Sequence, residues 1–438
     1  MAARLAPKTV LAHLIQRRNQ TYSEIVAEFV ELGGTITERH LRRLASGERA
    51  GTTPQTRRTL QRMFGKPVEE LLAPYVPEQP APQFTGGQQV VPAPAASGRI
   101  TTGTEMEVLD MAASRARAFA LAAQSGLGSE AMEQVYDDVR HVAKAYPQRP
   151  LPEILGQLVE TQDLVFALLE SRQRPEHLRQ LYFLGGVTGG LLAKASHDLG
   201  NPHAALTQAR TAFLCADNAD HHGLRAWVRG LQSLVSYWAG NPHDSVRYAQ
   251  LGAGYAEQAN STTSVWLPVS EARAWAALGN PEATRAALER AEEAWNTVRH
   301  DDLDEMGGLC TFGRNRQLYY AADALAWLPG EAEQAERYSR QAVDAYNDQN
   351  HPEWAFGDAA GSQAAMAISR IASGELDGAA DAIAPVLDLP TERRINGVVH
   401  SARRVHNALR ASGHAGDARE LQEEIETFTR TPVQTLAR

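Results

Sequence analysis

Leu199-Gly200-Asn201-Pro202 returns as Ala239-Gly240-Asn241-Pro242 and again as Leu278-Gly279-Asn280-Pro281, at intervals of 40 and 39 residues. Glycine, asparagine and proline in that order suit a chain leaving one helix and entering the next. The flanking residues have helical apolar spacing, as in Ala226 to Ala239 and His243 to Gln258, so each turn joins two helices and each pair is one repeat. Gly330, Gly374 and Gly413 continue the series at looser intervals of 51, 44 and 39 residues. From Glu105 onward nothing alternates like a strand, which predicts an all-α chain with about six helix pairs between Glu105 and Arg430.

Antiparallel helix pairs with Gly at the inner turn, aromatic residues in the first helix and small residues in the second resemble a tetratricopeptide array, although the period is longer and the motif looser. The resemblance implies an α-solenoid over residues 105–438 whose concave groove takes a peptide or extended segment. Trp227, Tyr237, Trp266, Trp275, Tyr320 and Trp354 lie mainly on first helices, with packing between helices as the alternative role for each. Arg314, Asn315, Arg316, Gln317 and Tyr320 form the densest polar-aromatic cluster. There arginines can hold a carboxylate and amides can pair with a peptide backbone; a solvated face is the alternative. Trp227, Tyr237, Trp266, Arg273, Arg314, Gln317 and Tyr320 are therefore the candidate ligand-binding residues.

The amino-terminal region differs in charge. Residues 1–75 carry 12 Lys plus Arg against 7 Asp plus Glu, while the remainder carries 31 against 45. A small basic module that meets a polyanion is thus attached to an acidic body that the same polyanion would repel. Five short helices are expected in it. Val10, Leu11, Leu14 and Ile15 mark the first; Ser23 caps a second with Ile25, Val26, Phe29 and Leu32 inward. The third runs over Ile36 to Arg49, with Thr35 and Glu38 as a capping box and Gly47 at its end. Thr53 and Pro54 open the fourth, and Pro67, Val68, Leu71 and Leu72 make the fifth. On the third helix Ile36, Leu41 and Leu44 face a core, leaving Arg39, Arg42 and Arg43 outward.

Ser23-Glu24-Ile25-Val26-Ala27, Ile36-Thr37-Glu38-Arg39-His40-Leu41-Arg42-Arg43-Leu44 and Phe64-Gly65-Lys66-Pro67-Val68-Glu69-Glu70-Leu71-Leu72 resemble the repressor-type helix-turn-helix domain of Cro-like regulators. In that family the third helix lies in the major groove with its amino-terminal residues at base edges. The resemblance implies that Thr37, Glu38, Arg39, Arg42 and Arg43 read bases, with Glu38 alternatively a capping residue. Arg49, Arg57, Arg58 and Lys66 would neutralise phosphates, and His40 packs or touches a phosphate. The second helix and its turn are several residues longer than the family's compact turn.

Val76 to Thr104, with prolines at 77, 80, 82, 92 and 94, reads as a flexible linker. Across 438 residues the net charge is -9, with 43% hydrophobic and 22% charged residues, an ordinary globular composition spread over more than one domain. No apolar run reaches the roughly 18 to 20 residues of a membrane span, and Met1 to Lys8 lacks the apolar core of a secretion signal, so a cytoplasmic protein without membrane partners is expected. Cys215 and Cys310 suit reduced, buried thiols. No phosphate-binding loop, His-Glu-x-x-His, Cys-x-x-Cys or nucleophile elbow is present, and Gly126-Leu127-Gly128-Ser129-Glu130-Ala131 follows a helix instead of a strand, so neither catalysis nor a cofactor or metal is expected. Asp301-Asp302-Leu303-Asp304-Glu305 reads as helix capping in solvent.

The whole chain resembles bacterial transcriptional regulators that join a repressor-type helix-turn-helix to a tetratricopeptide sensor, the arrangement of peptide-responsive quorum-sensing regulators. That implies a homodimer on double-stranded DNA, with a signalling peptide, small molecule or protein in the repeat groove. The alternative is a scaffold or anti-activator acting through protein contacts, with the helix-turn-helix not used for DNA.

Overall fold

The computed structural model describes residues 8–18, 21–32, 36–47, 54–64, 66–75, 128–413 and 418–432, and every regular element among them is a helix. The linker at 76–104, Thr35, Arg49, Thr53 and the side chain of Arg58 lie outside the described residues. The chain divides into two compact units, Met1–Arg99 and Ile100–Arg438.

The first unit contains α1 (Val10–Arg17), α2 (Tyr22–Glu31), α3 (Glu38–Ala45), α4 (Pro54–Phe64) and α5 (Val68–Leu71). Leu11, Ile25, Phe29, Leu41, Leu44, Leu60 and Leu71 are fully buried, so all five helices contribute to one core. Its two ends are tied together: Val10 N–H donates to Ala73 O at 3.1 Å and Tyr75 N–H to Lys8 O at 3.1 Å. Thr9 secures α1 to α3, since its hydroxyl donates to Ala45 O at 2.7 Å and accepts from Ala12 N–H.

Two of the three predicted amino caps in this unit are displaced. Thr21, not Ser23, caps α2, because Glu24 bonds back to the Thr21 N–H at 2.6 Å and completes a reciprocal box. Thr37 caps α3 through His40 N–H at 3.2 Å, so the helix starts at Glu38 instead of Ile36. It ends as expected near Gly47, whose φ of 76° is the left-handed conformation that glycine supplies.

The second unit is an α-solenoid. After α6 (Ser129–Ala145) and α7 (Leu151–Glu170), six antiparallel pairs follow. They are α8 (Pro175–Asp198) with α9 (Pro202–Asn218), α10 (His222–Trp238) with α11 (Pro242–Ala259), and α12 (Thr263–Ala277) with α13 (Pro281–Ala294). After a short α14 (Asp302–Met306) come α15 (Arg314–Leu325) with α16 (Ala332–Ala345), α17 (Phe356–Ala372) with α18 (Leu376–Leu387), and α19 (Asn396–Ala411) with α20 (Arg419–Thr429). First helices pack on first helices from α8 to α19, with each second helix against its own partner.

The repeated turn has a complete backbone explanation. At the first, Asn201 N–H donates to Ser196 O at 2.8 Å and Gly200 N–H to His197 O at 2.9 Å, which satisfies the last carbonyls of α8. The Asn201 side chain then accepts from Ala204 N–H at 3.0 Å, so one residue closes one helix and opens the next. Asn280 does the same with Trp275 O and Ala283 N–H. All six turn glycines, including Gly330, Gly374 and Gly413, have positive φ.

Glycine serves a second purpose between first helices, where it receives an aromatic ring. A Cβ on Gly190 of α8 would lie 2.0 Å from the Trp227 ring of α10, and one on Gly230 of α10 would lie 2.6 Å from Trp266 of α12. Each ring fills the space that the missing side chain leaves. At about 25 cal/mol per Å² and roughly 150 to 250 Å² per ring, each such burial is worth roughly 4 to 6 kcal/mol before ordering costs.

The long interval between Gly279 and Gly330 holds an insertion that turns into the solenoid. Asp304, buried and not in solvent as expected, accepts from Thr262 N–H at 3.0 Å and from the Thr262 hydroxyl; that hydroxyl in turn accepts from Phe312 N–H at 2.9 Å. Leu309 O accepts from the Trp227 indole at 3.2 Å. The last pair closes the array on its own start: α19 packs on α8, and His400 lies 6.0 Å from the Trp238 ring of α10.

Candidate functional site

Two places concentrate chemistry. The first is the outer face of α3. With Leu41 and Leu44 buried, the helix turns Arg39, Arg42 and Arg43 outward, and they share one open face with Glu38 and Ser46. Arg42 is committed: it donates to Glu38 Oε1 at 2.6 Å and its guanidinium lies 4.7 Å from the Tyr22 ring. Arg42 and the Ser23 hydroxyl hold the Glu38 carboxyl below its usual range. Arg39 is exposed with no side-chain partner among the described residues, whereas the Thr37 hydroxyl is occupied as the cap. His40 is half-buried, and its Nε2 has no hydrogen-bond partner among the described residues. Arg57 is exposed on α4.

The second place is a cavity of about 90 Å³ inside the solenoid, between first helices and the insertion. Trp227, Trp266, Phe312 and Val398 supply apolar wall, and charged groups reach it in compensated pairs. Lys194 meets Asp198 at 2.5 Å, with the Tyr146 hydroxyl donating to the same carboxylate at 2.8 Å. Arg316 donates to Asp358 at 2.7 Å. Burial, reinforced by Lys194, pushes His197 well below its ordinary pKa, so it is neutral. The Cys310 thiol is driven far upward by burial and stays protonated.

Arg273 of α12 stands apart. It is 3% exposed, and its guanidinium is ringed by Tyr320 at 4.2 Å, Tyr237 at 4.4 Å, Trp238 at 5.2 Å and Tyr319 at 5.6 Å. Its Nε donates to Asp323 at 2.7 Å; Arg404 of α19 holds that carboxylate too, at 2.8 Å, and the Tyr237 hydroxyl donates to it at 3.3 Å. Burial alone would raise the Asp323 pKa, but Arg404 and Arg273 together outweigh it and hold the group below its usual range. Arg273 Nη2 remains buried without a hydrogen-bond acceptor among the described residues. Trp266 Nε1 also has no hydrogen-bond partner among the described residues, and burial pushes the Tyr320 hydroxyl up.

Of the predicted ligand-binding residues, Trp227, Trp266, Arg273 and Tyr320 line this cavity, and Tyr237 stacks behind Arg273. Arg314 and Gln317 do not join them. They face a separate groove on the other side of α15, where Arg314 donates to Glu292 at 2.6 Å and to Gln317 at 2.8 Å. The expected cluster of Arg314, Gln317 and Tyr320 is therefore split, because at about 100° per residue Arg314 and Tyr320, six positions apart, point about 120° apart around the helix. Gln317, which also accepts from the Trp295 indole, has no amide oxygen left for a peptide.

Sequence reading missed Lys194, Asp198, Tyr319, Asp323, Asp358 and Arg404, and placed Arg316 in the polar-aromatic cluster without its partner. The signal was present in part: Lys194 and Arg273 are charged positions on first helices, each six residues before a turn glycine. Their partners carry no such mark, since Asp323 is 50 residues from Arg273 and 81 from Arg404.

No helix among the described residues is long and apolar enough to cross a membrane, and none of their side-chain groups could hold a metal ion. No protein-family model matches the sequence, and no curated protein matches it. Among solved structures, the chain is similar to a Rap protein complexed with competence and sporulation factor, at 11% identity and a TM-score of 0.40, covering 68% of this chain and 96% of that one.

Proposed function

We propose that the chain is a DNA-binding transcriptional regulator, not an enzyme, in which α3 enters the major groove and the solenoid dimerises and binds a regulatory ligand: a peptide, small molecule or protein. The observation that carries the first half is the exposed arginine face of α3 on a fully packed small core. Arginine pairs with guanine edges through two parallel hydrogen bonds, and Arg39 has both of its terminal nitrogens available. The basic amino-terminal charge supports the same reading. Support for the ligand comes from the solenoid, where a buried arginine is left short of one acceptor.

The decisive experiment is salt-dependent binding of the full chain to a selected DNA library. Affinity should fall steeply with salt, and Arg39→Ala should lower it roughly tenfold to a hundredfold on selected sites but not on random DNA. Equal loss on both would make Arg39 a phosphate contact; absence of binding at low salt would favour the scaffold reading. Light scattering on the same sample should give twice the chain mass.

A further inference from the structure

Arg273 and Arg404 share one carboxylate, Asp323. The other charges at the cavity are matched one to one, and His197 is neutral, so the cluster retains one positive charge more than negative. A buried uncompensated cation is costly, and four surrounding rings offset only part of that cost. Arg273 lines the cavity, and its Nη2 is buried without an acceptor among the described residues. Charge and hydrogen bonding at Arg273 therefore lack the same thing: an anionic oxygen. The space limits what can bring it, since about 90 Å³ is well below the roughly 300 to 1,000 Å³ of sites for drug-sized ligands.

We propose that the solenoid cavity binds a small aliphatic monocarboxylate, whose carboxylate accepts from Arg273 Nη2 while its short apolar body lies against Trp227, Phe312 and Val398. A guanidinium donating to a carboxylate is among the strongest neutral-pH hydrogen bonds, and water exclusion strengthens it further. This gives the ligand-controlled reading above a ligand class; it rests on that reading only for the regulatory consequence, and binding is measured without DNA.

The test uses the full chain with acetate, propionate and isobutyrate, and with isobutyramide as the neutral control. At millimolar concentration isobutyrate should raise the unfolding temperature and change the fluorescence of the cavity tryptophans, while isobutyramide does neither. Arg273→Met should abolish the response, and it should fold because Arg404 still matches Asp323. Gly397→Leu gives an independent check: Gly397 lines the cavity and a Cβ there meets no atom within 4 Å, so a larger side chain can be carried at this position and should also abolish the response. The proposal is overturned if no acid acts, if the amide acts as well as the acid, or if the folded Arg273→Met protein still responds. A stronger effect of glycyl-valine than of isobutyrate, lost on amidation, would assign the site to a peptide terminus and overturn the small-ligand assignment. Carboxylate binding that leaves DNA affinity unchanged keeps this inference and counts against the regulator.

Discussion

The same side chain appears in the two units under opposite solvation. Arg39, Arg42 and Arg43 lie on the outside of α3, and the Arg42 side chain is 59% exposed. In the solenoid the side chains of Arg273, Arg316 and Arg404 are 3%, 12% and 18% exposed, each held by a carboxylate from another helix. An exposed arginine keeps its hydration and remains available to a polyanion from outside, whereas a buried one must find its anions inside the fold. Removing the carboxylate should cost little in the first arrangement and much in the second, and that difference can be measured.

The largest effect is expected at Asp323. Asp323→Asn leaves Arg273 and Arg404 buried together without a counter-charge, and the chain should lose about 3 to 5 kcal/mol in urea unfolding. The pH dependence follows from the sign of the shift. A carboxyl whose folded pKa is depressed contributes stability above its unfolded value of about 3.9, and that contribution is lost as pH falls through the lower folded value. The deficit of the variant should therefore be constant near neutrality and shrink below about pH 4. A loss equal to that of a surface substitution would break the contrast between the two units.

Asp301 offers the opposite sign in the same unit. Its Oδ1 caps α14 through Leu303 and Asp304 N–H groups at 3.1 and 2.9 Å, while Oδ2 is buried without a partner among the described residues. Burial pushes the carboxyl up to about 6. A raised folded pKa means the native state keeps a proton that the unfolded chain releases, so stability falls as pH rises from about 4 to about 6 and is level beyond. Asp301→Asn retains the capping oxygen and removes the charge. Its stability relative to wild type should improve by about 1 to 2 kcal/mol between pH 4.5 and pH 7, read from urea midpoints. Parallel pH profiles would mean that Oδ2 is solvated.

These two aspartates also mark what the sequence could disclose. The turns were legible because every group that makes them lies within six residues, as in Ser196 to Asn201. The helix pairs followed from them. Local competition between equivalent caps was not legible: Thr21 and Ser23 both qualify, and only the Glu24 back-bond chooses. The cavity was less legible still. Tryptophans and Arg273 could be nominated as unusual residues on apolar helices, but the pairing of Arg273 with Asp323 and Arg404 depends on first helices stacking and on the last pair returning to the first. The insertion that lines the cavity with Leu309, Cys310 and Phe312 showed only as an interval of 51 residues.

The smallest effect on stability, and the sharpest use of the comparison, is expected at Glu38. Its pair with Arg42 has the same chemistry as Arg273 with Asp323, yet both partners are exposed and only one turn apart on α3. Water already solvates each of them, so Glu38→Gln should leave the unfolding midpoint unchanged within error. DNA binding should respond in the other direction. Glu38 places a negative charge on the face proposed to meet phosphates and holds Arg42 against it. Removing that charge releases the guanidinium, so affinity for random DNA should rise several-fold and its salt dependence should steepen by about one phosphate contact. If Glu38 instead accepts from a cytosine amine, binding to selected sites should weaken while random DNA is unaffected. A large loss of stability in Glu38→Gln would show that the surface pair behaves like the buried one, and the division between an outward-facing and an inward-facing set of arginines would no longer hold.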